Sequence, residues 1–324
     1  MITKWILVRT KEKLVFFEGA EKKVEILLKD RSESLLDKPR AFWEMIVKAS
    51  RAEIIGELRS AKVIAFLLSE SSLFVFENRI TMITCGETTL ALAAEAFIKE
   101  IGEQRVDCVI YQRKNEFRSY LQKSSFADDV TNLKKLIPGE AFCFGRFHEH
   151  HNLLFSSETS FKADKDDCTV ELLMYDIRPD LLEELLDPKT CVNKTRNLLG
   201  LEKVLKGFQI DDFSFDPFGY SLNALLDDTY ATIHITPQLD TSYISFETNC
   251  ESYQAQEMIQ HFLSVLSPGS FDLVVFNGPT QLKFESDYIN RTHSRQLIPS
   301  GFQVDFFHYF HHRTTSGPAM VYKE

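Results

Sequence analysis

Short apolar runs separated by polar pairs recur along most of the chain, the pattern of half-buried strands in antiparallel sheet. From Phe66 to Phe76 the chain reads FLLSESSLFVF: Leu67, Leu68 and Leu73 to Phe76 are apolar, and Ser69-Glu70-Ser71-Ser72 divides them. Taken alone this is a hairpin, although no Gly, Pro or Asn supplies the turn. From Tyr230 to Thr236 the alternation is strict, with Ala231, Ile233 and Ile235 on one face and Tyr230, Thr232, His234 and Thr236 on the other. Helical spacing appears between such groups. Leu90, Ala94, Phe97 and Ile98 share a face, as do Ile259, Phe262, Leu263 and Leu266, the latter ended by Ser267-Pro268-Gly269. Ser125-x-x-Asp128 predicts a helix cap before Pro138-Gly139. Single helices between sheet-rich blocks predict an α+β fold, with helices covering the outer faces of antiparallel sheets. The polar stretch Ser156 to Asp167 is the expected mid-chain connection, and no internal repeat is discernible.

Composition narrows this. The 324 residues are 44% hydrophobic and 26% charged, a globular balance, and no run approaches the roughly 18 apolar residues a membrane helix needs. The start, MITKWILVRTKEK, is too short in apolar residues for a secretory leader, so a cytoplasmic location is expected. A formal charge of −10 argues against a nucleic-acid surface and suits a cationic ligand. Cysteines 85, 108, 143, 168, 191 and 250 include no C-x-x-C pair, which predicts reduced thiols rather than a zinc ribbon.

Candidate chemistry is sparse in isolated motifs. His148-Glu149-His150-His151 and His308 with His311-His312 invite a metal, but neighbouring strand residues point to opposite faces, so solvated histidines and no metal are expected. His234 stands among small polar neighbours on a strand whose other face is apolar. Upstream, Phe215-Asp216-Pro217-Phe218-Gly219-Tyr220-Ser221 joins turn formers, aromatics and a hydroxyl, and Phe16-Phe17-Glu18-Gly19-Ala20-Glu21 sets carboxylates beside an aromatic pair.

The segments FFEGAEKKVEI, LLSESSLFV, TCGETTL, YQRKN, FDPFGYSLN, TYATIHITP and SYISFETN follow one another as in a known family. In combination they make the chain resemble the eukaryotic-type S-adenosylmethionine decarboxylase proenzymes, from about Phe16 to Asn249 and on through SPGSFDLVVFN. The resemblance implies a four-layer α/β/β/α sandwich and a single domain, 1–324, that cuts itself into chains 1–70 and 71–324. Ser71 would attack the Glu70 carbonyl, and elimination would leave a pyruvoyl group, a covalent cofactor made from the chain itself. It implies that Ser221 and His234 assist processing, that the substrate amine condenses with the ketone, and that Cys85 protonates the decarboxylated carbon. Glu18 and Glu21 become catalytic carboxylates. Phe17, Glu18, Leu68, Glu70, Phe215 and Gln238 become substrate contacts, the two phenylalanines sandwiching adenine. Glu25, Arg113, Asp167, Thr169, Glu171 and Glu247 resemble a buried site for the activator putrescine. The product would be the aminopropyl donor for spermidine and spermine, and the two chains would associate, in some members as a dimer of the pair.

Four positions depart from the family pattern: Gln238 replaces a carboxylate, Phe218 a cysteine and Ile83 a lysine, and Glu87 is extra in TCGETTL. A carboxylate at 238 would accept from both ribose hydroxyls, so Gln238→Glu is expected to lower KM. Two other readings stay open: an inactive paralogue that activates a partner, and a pyruvoyl decarboxylase acting on another amino acid.

Overall fold

The computed structural model describes residues 16–29, 33–216, 218–239, 241–278 and 288–312. The N-terminal apolar run and Pro217 lie outside them.

Among these residues, sixteen strands form two antiparallel sheets. The first contains β1 (Lys22–Leu28), β2 (Ile54–Arg59), β3 (Ile64–Leu68), β4 (Ser71–Val75), β5 (Arg79–Thr84), β6 (Val106–Arg113), β7 (Gly139–Gly145) and β8 (His151–Ser157). Its spatial order is β2-β3-β4-β5-β1-β6-β8-β7. The second contains β9 (Thr169–Tyr175), β10 (Gln209–Ser214), β11 (Tyr220–Leu226), β12 (Thr229–Thr236), β13 (Tyr243–Thr248), β14 (Ser270–Phe276), β15 (Tyr288–Leu297) and β16 (Gln303–His311). Its order is β10-β11-β12-β13-β9-β14-β16-β15, the first sheet's order advanced by eight strands. The molecule is thus an internal duplication that no sequence periodicity discloses. The predicted connection is the joint: Ser156 and Ser157 end β8, and the remainder of that stretch leads into β9.

Helices cover the outer faces. On the first sheet lie α1 (Arg40–Ala49), α2 (Leu90–Ile101) and α3 (Phe126–Leu133), whose Trp43, Phe97 and Leu133 are buried with Val24, Phe66 and Tyr111 of the strands. On the second lie α4 (Pro179–Leu185), α5 (Val192–Leu199), α6 (Leu201–Val204) and α7 (Ser252–Leu266), with Ile259 and Phe262 packed against Leu172 and Phe246. Both predicted apolar stripes face these cores, and Ser125 and Asp128 form the expected capping box. The result is the four-layer α/β/β/α sandwich. Neither helix of the two central stripes needs strong intrinsic propensity, because burial of one face supplies most of its stability.

The layer between the sheets is mixed. Leu27, Cys108, Val274 and Phe306 make an apolar patch, and Val63, Phe74 and Tyr230 another. Beside them the inward positions are polar: Ser72, Asn223, Thr232, His234, Glu171 and Glu247 are all buried. Such groups are tolerable only when paired, and their pairing defines the site.

Candidate active site

The Phe66–Phe76 stretch is a hairpin after all: β3 and β4 pair from Ile64↔Val75 to Leu68↔Ser71, leaving Ser69-Glu70 as the turn. Its geometry is unusual. Ser71 has φ of 138°, a region that side chains other than glycine avoid at a cost of about 1–3 kcal/mol. The residue is buried, and among the described residues its Oγ has no hydrogen-bond partner. The Glu70 carbonyl next to it is held twice, by the Cys85 backbone N–H at 2.9 Å and the Cys85 thiol at 3.3 Å. A strained, unpartnered hydroxyl therefore follows a carbonyl whose oxygen already faces two donors.

His234 stands across the layer from this hairpin. Its Nε2 lies 2.9 Å from Thr232 Oγ1 and 3.2 Å from Ser72 Oγ, and its Nδ1 lies 2.9 Å from Ser221 Oγ. The Thr232 hydroxyl donates to the Leu222 carbonyl, which only accepts. Thr232 must then accept from Nε2–H, so the network assigns the proton to Nε2 and leaves Nδ1 as acceptor of the Ser221 hydroxyl. Burial holds the imidazole neutral, with its pKa pushed down to about 3. Register brings Ser221 and His234 opposite each other on β11 and β12. Both faces of β12 are buried, so the small polar neighbours of His234 enclose it rather than expose it to solvent.

The carboxylates respond to the same burial. Glu21 accepts from Ser245 Oγ at 2.5 Å, and desolvation raises its pKa to about 8. Desolvation raises Glu70 to about 7, with the Lys22 charge working against it. Glu18 is also raised, although the backbone N–H of Arg118 donates to it at 2.8 Å. The Cys85 thiol is pushed well above its ordinary value, so it keeps its proton. Lys22, buried with its pKa lowered by desolvation and donating to the Gly86 carbonyl at 3.0 Å, is a lysine that motif reasoning passed over.

Phe17 is 39% exposed, and its ring lies against Gly86, where a β-carbon would come within 3.0 Å of both that ring and the Glu70 carboxylate. Phe215 is half-buried in the turn before Ser221, its N–H bonded to the Gly219 carbonyl. Leu68 is different. Its side chain belongs to the helix-side core with Phe66 and Trp43, so it does not line this polar region.

The second acidic group is assembled, but not as expected. Lys23 Nζ sits between Glu171 at 2.9 Å and Glu247 at 2.7 Å, and Lys114 bonds the other oxygen of Glu171. Gln112 Nε2 adds a bond to Glu171 at 3.0 Å, and Tyr230 OH donates to Glu247. Arg79 holds Asp167 through two bonds and lies 3.4 Å from Glu25. Thr169 shares the inward face of β9 with Glu171, two residues on. Arg113 does not join them. It projects to the helical layer, bonding Glu116 at 2.6 Å and Asp129 at 3.0 Å, because Gln112 and Lys114 take the inward face. Lys23 was legible in principle, since it shares a face with Glu25 on β1.

The two histidine groups also converge. His150 and His308 each direct Nδ1 to a different oxygen of buried Asp272, at 2.9 and 2.7 Å, and Tyr175 OH donates at 2.8 Å. The rings stack at 4.1 Å. Reading them as unrelated solvated groups missed a contact made only by sheet packing. The donor atoms lie within 4.8 Å of one another, each ring nitrogen turned onto its own carboxylate oxygen.

The adenosylmethionine decarboxylase family model matches residues 15–310. The chain belongs to that family. It is 33% identical to the S-adenosylmethionine decarboxylase proenzyme of Caenorhabditis elegans over 83% of this chain and 78% of that one. It is 32% identical to the Drosophila melanogaster proenzyme, over 84% and 85%. A crystal structure of a Trypanosoma brucei AdoMetDC monomer superimposes with a TM-score of 0.55 over 74% of this chain and 99% of that one, at 24% identity, and supports the fold. Family membership makes this chain a decarboxylase by class.

Proposed function

We propose that the chain is an S-adenosylmethionine decarboxylase of polyamine synthesis that cuts itself between Glu70 and Ser71 and carries the pyruvoyl group so formed. The observation that carries the reading is Ser71: strained, buried, without a hydrogen-bond partner among the described residues, and adjoining a carbonyl clamped by Cys85. Such a hydroxyl is poised to leave its conformation by reacting.

Ser71 Oγ adds to the Glu70 carbonyl carbon, and the negative charge gathering on the oxygen is met by the Cys85 N–H and thiol. The C–N bond breaks, an ester replaces the amide, and the Ser71 nitrogen becomes a free amine. Removal of the Ser71 α-proton then expels the Glu70 carboxylate. Tautomerisation and hydrolysis of the remaining dehydroalanine release ammonia. Neutral His234, whose Nδ1 is an acceptor relayed through Ser221, is the base within this network. The pyruvoyl group supplies a ketone that draws electrons from the substrate as CO2 leaves. Cys85, protonated at neutral pH, donates a proton to the substrate carbon. A cationic sulfonium would draw Glu18 and Glu70, both raised by desolvation, toward their ionised forms, and Phe17 offers a ring face to the adenine.

Putrescine is not needed to balance the acidic cluster. Lys23 and Lys114 already place two ammonium groups against Glu171 and Glu247, with Arg79 against Asp167 and Glu25. Three cations face four carboxylates, and burial raises the pKa of Glu25 and Glu247. We read the cluster as charge-balanced by the chain itself, with no diamine required.

Intact mass spectrometry of purified protein, with CO2 release from carboxyl-labelled S-adenosylmethionine, tests the function. Fragments 1–70 and 71–324 and labelled CO2 are expected. Cys85→Ala is expected to cut roughly a hundredfold more slowly and to lose turnover after a few cycles. An uncut, inactive wild type would favour the regulatory-paralogue reading.

A further inference from the structure

We propose that Gln238 is a positioning residue that fixes the backbone of Phe17, not a weakened ribose contact. This deepens the decarboxylase reading, on which the stacking role of Phe17 rests.

The side-chain amide of Gln238 is spent on one residue. Its Oε1 accepts from the Phe17 N–H at 3.0 Å, and its Nε2 donates to the Phe17 carbonyl at 2.7 Å. The paired bonds close a ring like one rung of antiparallel sheet. They span 221 positions of sequence and, after a cut at Glu70, would bridge the two chains. The neighbouring contacts show why the clip is needed at this point. Gly19 lies so close to β12 and β13 that a β-carbon would sit 3.0 Å from Thr236 and 3.1 Å from Tyr243. The Glu18 carbonyl accepts from Gly86 N–H, and Glu21 from Ser245. The segment is thus docked from residue 18 onward, and Phe17 is the first residue beyond that dock. With the residue 39% exposed, packing holds it only in part. Gln238 sets the direction in which the ring leaves the backbone.

Chemistry selects the amide. A carboxylate of the same shape accepts from Phe17 N–H but has no proton for the Phe17 carbonyl, which it would repel. The substitution that family resemblance recommends, Gln238→Glu, therefore impairs the site, the opposite of the ribose-contact expectation. A protonated carboxyl, however, both donates and accepts. Acid should restore the glutamate variant and leave an alanine variant unimproved.

The experiment measures KM and kcat of wild type, Gln238→Glu and Gln238→Ala from pH 5 to 8. Each variant is expressed as a ratio to wild type, so that titration of Glu18 and Glu70 beside Phe17 cancels. Hydrogen exchange at the Phe17 amide is followed in parallel. At pH 8 the glutamate variant is expected to show KM raised roughly tenfold, with kcat within about twofold, the signature of lost binding common to ground and transition states. Its KM ratio should fall toward one on acidification, while that of the alanine variant stays level. The Phe17 amide should exchange at least about tenfold faster in Gln238→Ala. A glutamate variant with KM equal to or below wild type, or a ratio flat with pH, overturns the clip. Exchange at Phe17 unchanged in the alanine variant overturns it even if the protein proves to have no turnover. Absence of turnover with faster exchange removes the decarboxylase reading and leaves the clip.

Discussion

The duplicated fold contains the same hairpin twice. In the first half β3 and β4 are joined by Ser69-Glu70 and continue with Ser71. In the second half β11 and β12 are joined by Asp227-Asp228 and continue with Thr229. Both turns are two residues long, and both are followed by a hydroxyl. The differences lie around them. Asp227 takes the left-handed conformation at φ of 54°, which Asp tolerates, in an exposed turn, and no positive φ falls on Thr229. In the other turn the positive φ is displaced onto Ser71 and buried. The Asp228 carbonyl takes a bond from Asn249 Nδ2 at 3.1 Å, near the surface, whereas the Glu70 carbonyl has two donors from one buried residue. On the proposed reading, a hydroxyl after a tight turn is not enough for cutting: strain, dehydration and a prepared carbonyl distinguish Ser71.

The strongest way to break this comparison is to delete each hydroxyl. Ser71→Ala should remain at full length by mass spectrometry and show no decarboxylation, while Thr229→Ala should cut like wild type. Equal cutting of Ser71→Ala would end the assignment.

The equivalent strands β1 and β9 carry opposite partners of the buried ion cluster, Lys23 and Glu171. Removing one partner of such a pair leaves a buried charge and costs about 3–5 kcal/mol. Lys23→Met should lose about that much in urea unfolding, and millimolar putrescine should recover part of it by returning an ammonium group. Stimulation of the wild type by putrescine would show that the lysines do not fill the site.

Glu21, between the halves, carries a pH signature. Its carboxyl has a folded pKa of about 8 against an ordinary 4.5, so the neutral form is the one the fold prefers. The stabilisation is complete below the unfolded pKa and is lost as pH rises toward 8. Melting curves of Glu21→Gln should therefore decline less than wild type between pH 5 and 9, by a difference of order 3 kcal/mol. Parallel declines would place that carboxyl in a wetter setting.

The smallest expected effect is in the ordinary hairpin. Asp227→Gly relieves a left-handed residue at the price of unfolded-chain entropy, so stability should change by less than about 1 kcal/mol, with cutting unaffected.

Much of this was legible in residue order. Alternation and helical spacing located β12, α2 and α7, the capping box marked α3, and the polar break in an apolar run marked the turn before the strained Ser71. These features are local: a strand's two faces, a helix's stripe and a cap are written within a few residues of one another. What only the tertiary structure decided is how faces from distant segments meet. The duplicated strand order, the turning of Arg113 outward with Lys114 inward, and the joining of His150 to His308 through Asp272 all depend on sheet pairing. So do the filling of an acidic site by Lys23 and the commitment of Gln238 to Phe17. Residue type says what a side chain can donate or accept, but strand register and sheet packing decide which partner is within 3 Å, and in a buried layer that partner sets charge, proton position and reactivity.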